Sequence, residues 1–152
     1  DQSEEEKISA IMNSEYYLLI GTDSGVQYIF DGESYKKLSV KGSGSLGAIR
    51  SFARLPGGEI IIQGAEAVSE FDGKDYKLVP SPGLNDITQL IPDSLNPETY
   101  RISFKSGSSG GYALYQPPYW QKYYSDAAVI SLAQAEKTIY LAKPDSVYYL
   151  EE

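Results

Sequence analysis

A strand-and-turn pattern that returns about every forty residues constrains this chain more than any other feature. Tyr17-Leu18-Leu19-Ile20-Gly21-Thr22 is a compact apolar run ending in glycine. Asp23-Ser24-Gly25 follows as a turn, Val26-Gln27-Tyr28-Ile29-Phe30 as a second strand, and Asp31-Gly32 as a hairpin dipeptide. Ser34-Tyr35-Lys36-Lys37-Leu38 can return as a third strand of the unit. The order recurs in Glu59-Ile60-Ile61-Ile62-Gln63-Gly64, Ala67-Val68-Ser69-Glu70-Phe71, Asp72-Gly73 and Asp75-Tyr76-Lys77-Leu78. The two Asp-Gly turns lie 41 residues apart, a period typical of propeller blades at about 40–50 residues.

Each unit also opens with a further strand: Ile8-Ser9-Ala10-Ile11-Met12, then residues 49–55, then Ile87-Thr88-Gln89-Leu90-Ile91, then Val129-Ile130-Ser131-Leu132. Pro56-Gly57-Gly58 turns the chain after the second of these. The third unit continues with Thr99-Tyr100-Arg101-Ile102-Ser103-Phe104, which alternates with period two, and then a Ser-Gly loop at residues 106–111. Its last hairpin pairs Tyr112-Ala113-Leu114-Tyr115 with Tyr119-Trp120-Gln121-Lys122-Tyr123-Tyr124 across Pro117-Pro118. The fourth has Thr138-Ile139-Tyr140-Leu141 and Val147-Tyr148-Tyr149-Leu150 and ends one strand short. Residues 126–136 could be read as a helix, but their β-branched content and the repeat register favour strands. The expected organisation is one domain over residues 1–152, with repeats near 8–48, 49–86, 87–128 and 129–152.

Four strands joined by short turns make an antiparallel meander. The second strand of each unit is nearly all apolar, so the meander needs cover on both faces. Radial packing of blades supplies that cover. The fold class expected is therefore all-β and propeller-type, with about four blades of three to four strands; a β-sandwich is the alternative. Lys36, Lys37, Lys74 and Lys77 near the last strand suit an outer edge, where charge discourages edge-to-edge pairing. Four blades leave two apolar flanks. They require a four-bladed ring, two chains pairing into a larger ring or stack, or further blades in a longer chain. The N-terminus could supply the missing outer strand, but residues 1–7 are too acidic to make an attractive one.

Residues 19–32, Leu-Ile-Gly-Thr-Asp-Ser-Gly-Val-Gln-Tyr-Ile-Phe-Asp-Gly, resemble the short propeller repeat of bacterial two-component regulators. That repeat occurs in the extracytoplasmic sensor regions of Bacteroides-type hybrid regulators. Leu19 stands where the repeat usually has Trp. The second unit keeps Ile62, Gly64, Val68, Phe71, Asp72 and Gly73, and the third and fourth are degenerate. The resemblance implies a periplasmic ligand-sensing region preceding a membrane span and a kinase. It implies no catalysis. If the natural protein is exported, its signal is not within these residues.

Composition narrows the chemistry. There is no Cys and no His, which removes disulfides, thiolate chemistry, and the commonest general base and transition-metal ligand. The formal net charge is −8, but six acids sit at the ends: Asp1, Glu4, Glu5, Glu6, Glu151 and Glu152. No basic stripe exists to neutralise phosphates, so no nucleic-acid partner is expected. No apolar run approaches the ~20 residues of a spanning helix, so no direct membrane insertion is expected. Neither a cofactor nor a metal is expected. Asp23, Asp31, Asp72, Asp75 and Asp145 all lie in or beside turns, where an Asp carboxylate serves its own backbone rather than acid–base work. Residues 22–25 offer one carboxylate only, and residues 72–75 carry a Lys inside the run, so neither is expected to hold calcium. Gly42-Ser43-Gly44-Ser45 and residues 106–111 lack the Lys and the helix of a phosphate loop.

The aromatic cluster of the third unit is the strongest binding candidate. The 14 tyrosines outnumber Phe and Trp together, and Tyr115, Tyr119, Trp120 and Tyr123 crowd one hairpin with Tyr112 and Tyr124. Aromatic faces stack on sugar rings and also anchor interfaces. The simplest reading packs alternate members between blades. The remaining readings are contact with a protein partner, with a glycan or other small molecule, or with a second copy in a homo-oligomer. A carbohydrate-binding or carbohydrate-active propeller is the alternative to a sensor.

Overall fold

The computed structural model describes residues 6–38, 40–41, 46–74, 76–80 and 84–151. Those residues form strands and turns with no helix. Blade one contains β1 (Ile8–Asn13), β2 (Leu18–Thr22), β3 (Gln27–Phe30) and β4 (Tyr35–Leu38). A two-residue strand, β5 (Val40–Lys41), precedes blade two, which is β6 (Ile49–Arg54), β7 (Ile60–Gly64), β8 (Val68–Phe71) and β9 (Tyr76–Val79). Blade three is β10 (Ile87–Pro92), β11 (Tyr100–Ser106), β12 (Ser109–Gln116) and β13 (Tyr119–Ser125). Blade four has β14 (Ser131–Ala135), β15 (Thr138–Ala142) and β16 (Val147–Glu151). Every blade is an antiparallel meander in chain order. The fold is all-β and propeller-type, and among the described residues no sheet closes on itself.

The turns explain the meander. Gly32 and Gly73 sit at φ 100° and 101°, a conformation glycine adopts without steric cost. Beside them, the Asp31 carboxylate accepts from the Glu33 and Ser34 N–H groups at 2.9 Å, and that of Asp72 accepts from Lys74 N–H at 2.9 Å. The Pro117–Pro118 hairpin of blade three has a cis peptide bond. The expected loop at residues 106–111 is instead largely strand. Ser106 pairs with Ser109 across a two-residue turn, and Gly110 and Gly111 run on within β12. A Cβ on Gly111 would strike the Tyr123 carbonyl and the Phe104 ring, so these glycines permit close strand packing. The Gly42–Ser45 run and Asp75 lie outside the described residues, as do residues 1–5.

The blades stack in sequence, each innermost strand against the next. A repeated device joins them. In β1, β6 and β10 the register slips by one residue at the second position, leaving Ser9, Arg50 and Thr88 in bulges. Each bulged side chain donates to the carbonyl that opens the next blade: Ser9 Oγ to Ile49 O at 2.5 Å, Arg50 to Ile87 O, and Thr88 Oγ1 to Val129 O at 2.8 Å. The residue in blade four equivalent to Ile8, Ile49 and Ile87 is thus Val129. Ile49, Ile87 and Val129 are fully buried, whereas Ile8 is 67% exposed, with no earlier blade among the described residues to cover it.

Three apolar layers fill the gaps. Leu19, Ile49, Ile60, Ile62, Phe71 and Tyr76 lie between blades one and two. Ile61, Val68, Ile87, Tyr100, Ile102 and Tyr115 lie between two and three, and Tyr112, Val129, Leu132, Ile139 and Leu141 between three and four. The second strands β7 and β11 are buried on both faces, as a blade interior requires. Blade two departs from four strands because β5 adds in parallel to the outer edge of β9. That covers an edge which would otherwise present unpaired backbone groups.

Candidate functional site

The outer hairpin of each of the first three blades carries an aromatic pair at the same register. Phe30 faces Tyr35 across the first, Phe71 faces Tyr76 across the second, and Tyr115 faces Trp120 across the third. The rings stack or tilt at centroid separations of 4.5, 4.3 and 4.7 Å. In blades two and three the pair packs on the preceding blade. Tyr115 is buried there and also meets Tyr100 at 4.9 Å. Trp120 is half-buried, and its indole Nε1–H donates to Pro80 O of blade two at 2.7 Å. Two of the four predicted site residues, Tyr115 and Trp120, therefore sit in an inter-blade joint.

The other two lie on the opposite face of the hairpin, toward blade four. Tyr119 is 77% exposed at the hairpin tip. Tyr123 stacks on buried Tyr112 at 4.6 Å, nearly parallel at 7°. This pair forms one wall of a cleft of about 380 Å³ between blades three and four. Tyr124, Asp126, Lys143, Tyr148 and Leu150 complete the lining that matters. Lys143 Nζ lies 3.9 Å above the Tyr148 ring and 3.6 Å from the Asp126 carboxylate. The cleft thus offers tyrosine faces, hydroxyls, one cation and one carboxylate, a mixture suited to a ring-bearing polar ligand.

The polar side chains at the turns are tied to nearby groups. The Thr22 hydroxyl bonds to both polar groups of Val26, accepting from its N–H at 3.0 Å and donating to its carbonyl at 2.9 Å. The Asp23 carboxylate accepts from Lys7 N–H, and that of Asp145 accepts from the Ser146 hydroxyl. Asp31 is held below the usual carboxylate range by the Ser34 and Glu33 N–H groups. These are turn functions. Among the described residues no three Asp or Glu side chains are grouped to hold a metal.

Sequence reading missed a buried network. The expected alternation of residues 99–104 places Arg101 in β11, but both faces of that strand are covered, and Arg101 and Asp93 are each only 2% exposed. They pair at 2.8 Å. The Asp93 carboxylate also accepts from Leu95 N–H at 2.7 Å, Asn96 N–H at 3.2 Å and the Gln134 amide at 3.3 Å. Burial pushes the Asp93 carboxyl up, but Leu95, Arg101 and Gln134 outweigh it and hold its pKa below the ordinary value. Gln134 comes from blade four, so the network fastens blade four to blade three. The outer aromatic pairs were legible, by contrast: Phe-Asp-Gly-x-x-Tyr occurs at residues 30–35 and again at 71–76.

No protein-family model matches the chain, and no curated protein matches its sequence. Solved structures do match. The extracellular domain of the putative hybrid two component system BT4673 from B. thetaiotaomicron superposes with TM-score 0.73 at 13% identity, over 96% of this chain and 21% of that one. Saccharomyces cerevisiae Sqt1 gives 0.68 at 13% identity, over 96% of this chain and 45% of that one. The computationally designed Ika4 protein gives 0.65 at 13% identity, over 99% of this chain and 94% of that one. The chain thus spans about a fifth of the length of the two-component domain. At these identities the likeness is one of fold. Among the described residues no helix is long and apolar enough to cross a membrane.

Proposed function

We propose that the chain is a non-enzymatic sensing or interaction module, an extracytoplasmic blade array serving a bacterial two-component signalling protein. The observation that carries this reading is the superposition of nearly the whole chain on the extracellular domain of a putative hybrid two-component system. Two features agree with it. The Asp31 and Asp72 carboxylates are committed to backbone N–H groups, and the cleft between blades three and four has stacking surfaces but no paired acids. Ligand binding in that cleft would change the packing of blade four on blade three, and the altered packing would pass to a membrane-linked output.

The tyrosine-lined cleft also favours a second reading, a carbohydrate-binding propeller protein. Calorimetric titration of a panel of neutral and acidic oligosaccharides tests both. Binding that Tyr123→Ala weakens about tenfold or more, as loss of one stacking face would, places the ligand in the cleft. Hydrolase or lyase turnover abolished by a single Asp→Asn change would overturn the non-enzymatic reading.

A further inference from the structure

Among the described residues, the two end faces of the blade stack have no blade packed on them. Ile20, Phe30 and Tyr35 of blade one occupy the positions of Ile62, Phe71 and Tyr76 in blade two and of Ile102, Tyr115 and Trp120 in blade three. In blades two and three these side chains pack against the blade before. In blade one Ile20 is still covered, but around it the face is open: Tyr35 is 67% exposed and Ile11, whose counterparts are Phe52 and Leu90, is 61% exposed. A hollow of about 270 Å³ lies on this face, lined by Glu6, Ile8, Ile20, Thr22, Tyr28 and Tyr35. At the other end, Ala133, Tyr140, Val147 and Tyr149 form the outward face of blade four. There Val147 is 69% and Tyr149 66% exposed. Contiguous apolar faces of this kind mark interaction surfaces.

We propose that the partner for both faces is a second copy of this chain, the outward face of blade four in one copy packing on the open face of blade one in the other. The contact continues the chain's own blade-to-blade order, so its geometry is already built four blades deep. Two such contacts, related by a two-fold axis, close a ring of eight blades and leave no apolar flank. The faces are unlike each other, so neither pairs with itself in this scheme. Length is compatible with it: the arc covers 45% of the Sqt1 chain, so two arcs match a fold of that size, while a single arc matches nearly all of Ika4. Val129 receives its bond from Thr88, but Ile130, at the position of Ser9, Arg50 and Thr88, has no side-chain donor. Ring closure therefore relies on apolar contact rather than on the bulge bond. The proposal stands apart from the sensing reading, which needs no particular oligomer.

Light scattering on the 152-residue chain across a dilution series tests it. The expected mass is twice the 16.7 kDa of one chain. Ile11→Lys and Tyr149→Glu each reduce it to one chain, and an equimolar mixture of the two variants restores a two-chain species through the one contact left intact. Both positions are exposed in the single chain, so circular dichroism stays unchanged; should Ile11→Lys not fold, Tyr35→Glu tests the same face. A single-chain mass for the parent protein overturns the proposal. So does a Tyr149→Glu variant that stays paired, since the pairing would then be face one on face one. Assemblies that keep growing with concentration overturn the closed ring.

Discussion

At the residue scale the most consequential side chain is one that no motif announces. Asp93 and Arg101 are buried together, and a buried charge is tolerated only when paired and hydrogen-bonded. Asp93 meets that condition through two backbone N–H groups, the guanidinium and Gln134. Removing one partner strands the other, so Asp93→Asn is expected to cost about 3 kcal/mol in chemical denaturation at pH 7. The pH dependence follows from the direction of its pKa. Because the folded-state value is depressed, Asp93 contributes its full stabilisation above the unfolded carboxylate pKa of about 3.9. That contribution is lost as pH falls through the folded value. The difference between the parent chain and Asp93→Asn should therefore shrink below about pH 4, and a difference constant from pH 7 to pH 2 would contradict the assignment.

At the scale of elements, the blade joint decides how the aromatic cluster is used. Trp120 stands where blades one and two have tyrosines, and its indole reaches across to Pro80. Trp120→Ala removes both the ring and that bond, and should cost about 3–5 kcal/mol in thermal or denaturant unfolding. Trp120→Phe keeps most of the packing and leaves the exposed Pro80 carbonyl to water, and should cost about 0.5–1.5 kcal/mol. Neither change should weaken a ligand of the cleft, because Trp120 faces blade two and the cleft faces blade four. Equal loss of ligand affinity in Trp120→Phe and Tyr123→Ala would mean that this division of the two faces is wrong. The residue types and the hairpin were readable from the chain. Which ring faces which neighbour was not, because a strand presents alternate residues to opposite faces and only the stack decides what lies beyond each face.

For the whole molecule, stability should follow the stack. Each blade contacts only its neighbours, so protection depends on how many neighbours a strand has. Strands β7 and β11 are covered on both faces, while every residue of β16 is exposed. Hydrogen exchange should be slowest in β7 and β11 and fastest in β16 and β4. Strong protection of β16 at concentrations where two chains associate, lost on dilution, would show its outward face being covered.

The sequence by itself determined the repeat, the hairpins and the all-β class. Turn chemistry at Asp31-Gly32 and Asp72-Gly73 and the apolar second strands are local properties, and they hold whatever the blades pack against. Residues 106–111 show the limit of such reading: a Ser-Gly run looks like a loop until strand packing shows that its glycines are required for close approach. The tertiary structure alone decided three things. It set the bulge bonds from Ser9, Arg50 and Thr88, the burial of Arg101 with Asp93, and the division of the aromatic cluster between an inter-blade joint and an open cleft. Each depends on a partner about forty residues away or on another blade's face, and no local pattern specifies what that partner will be.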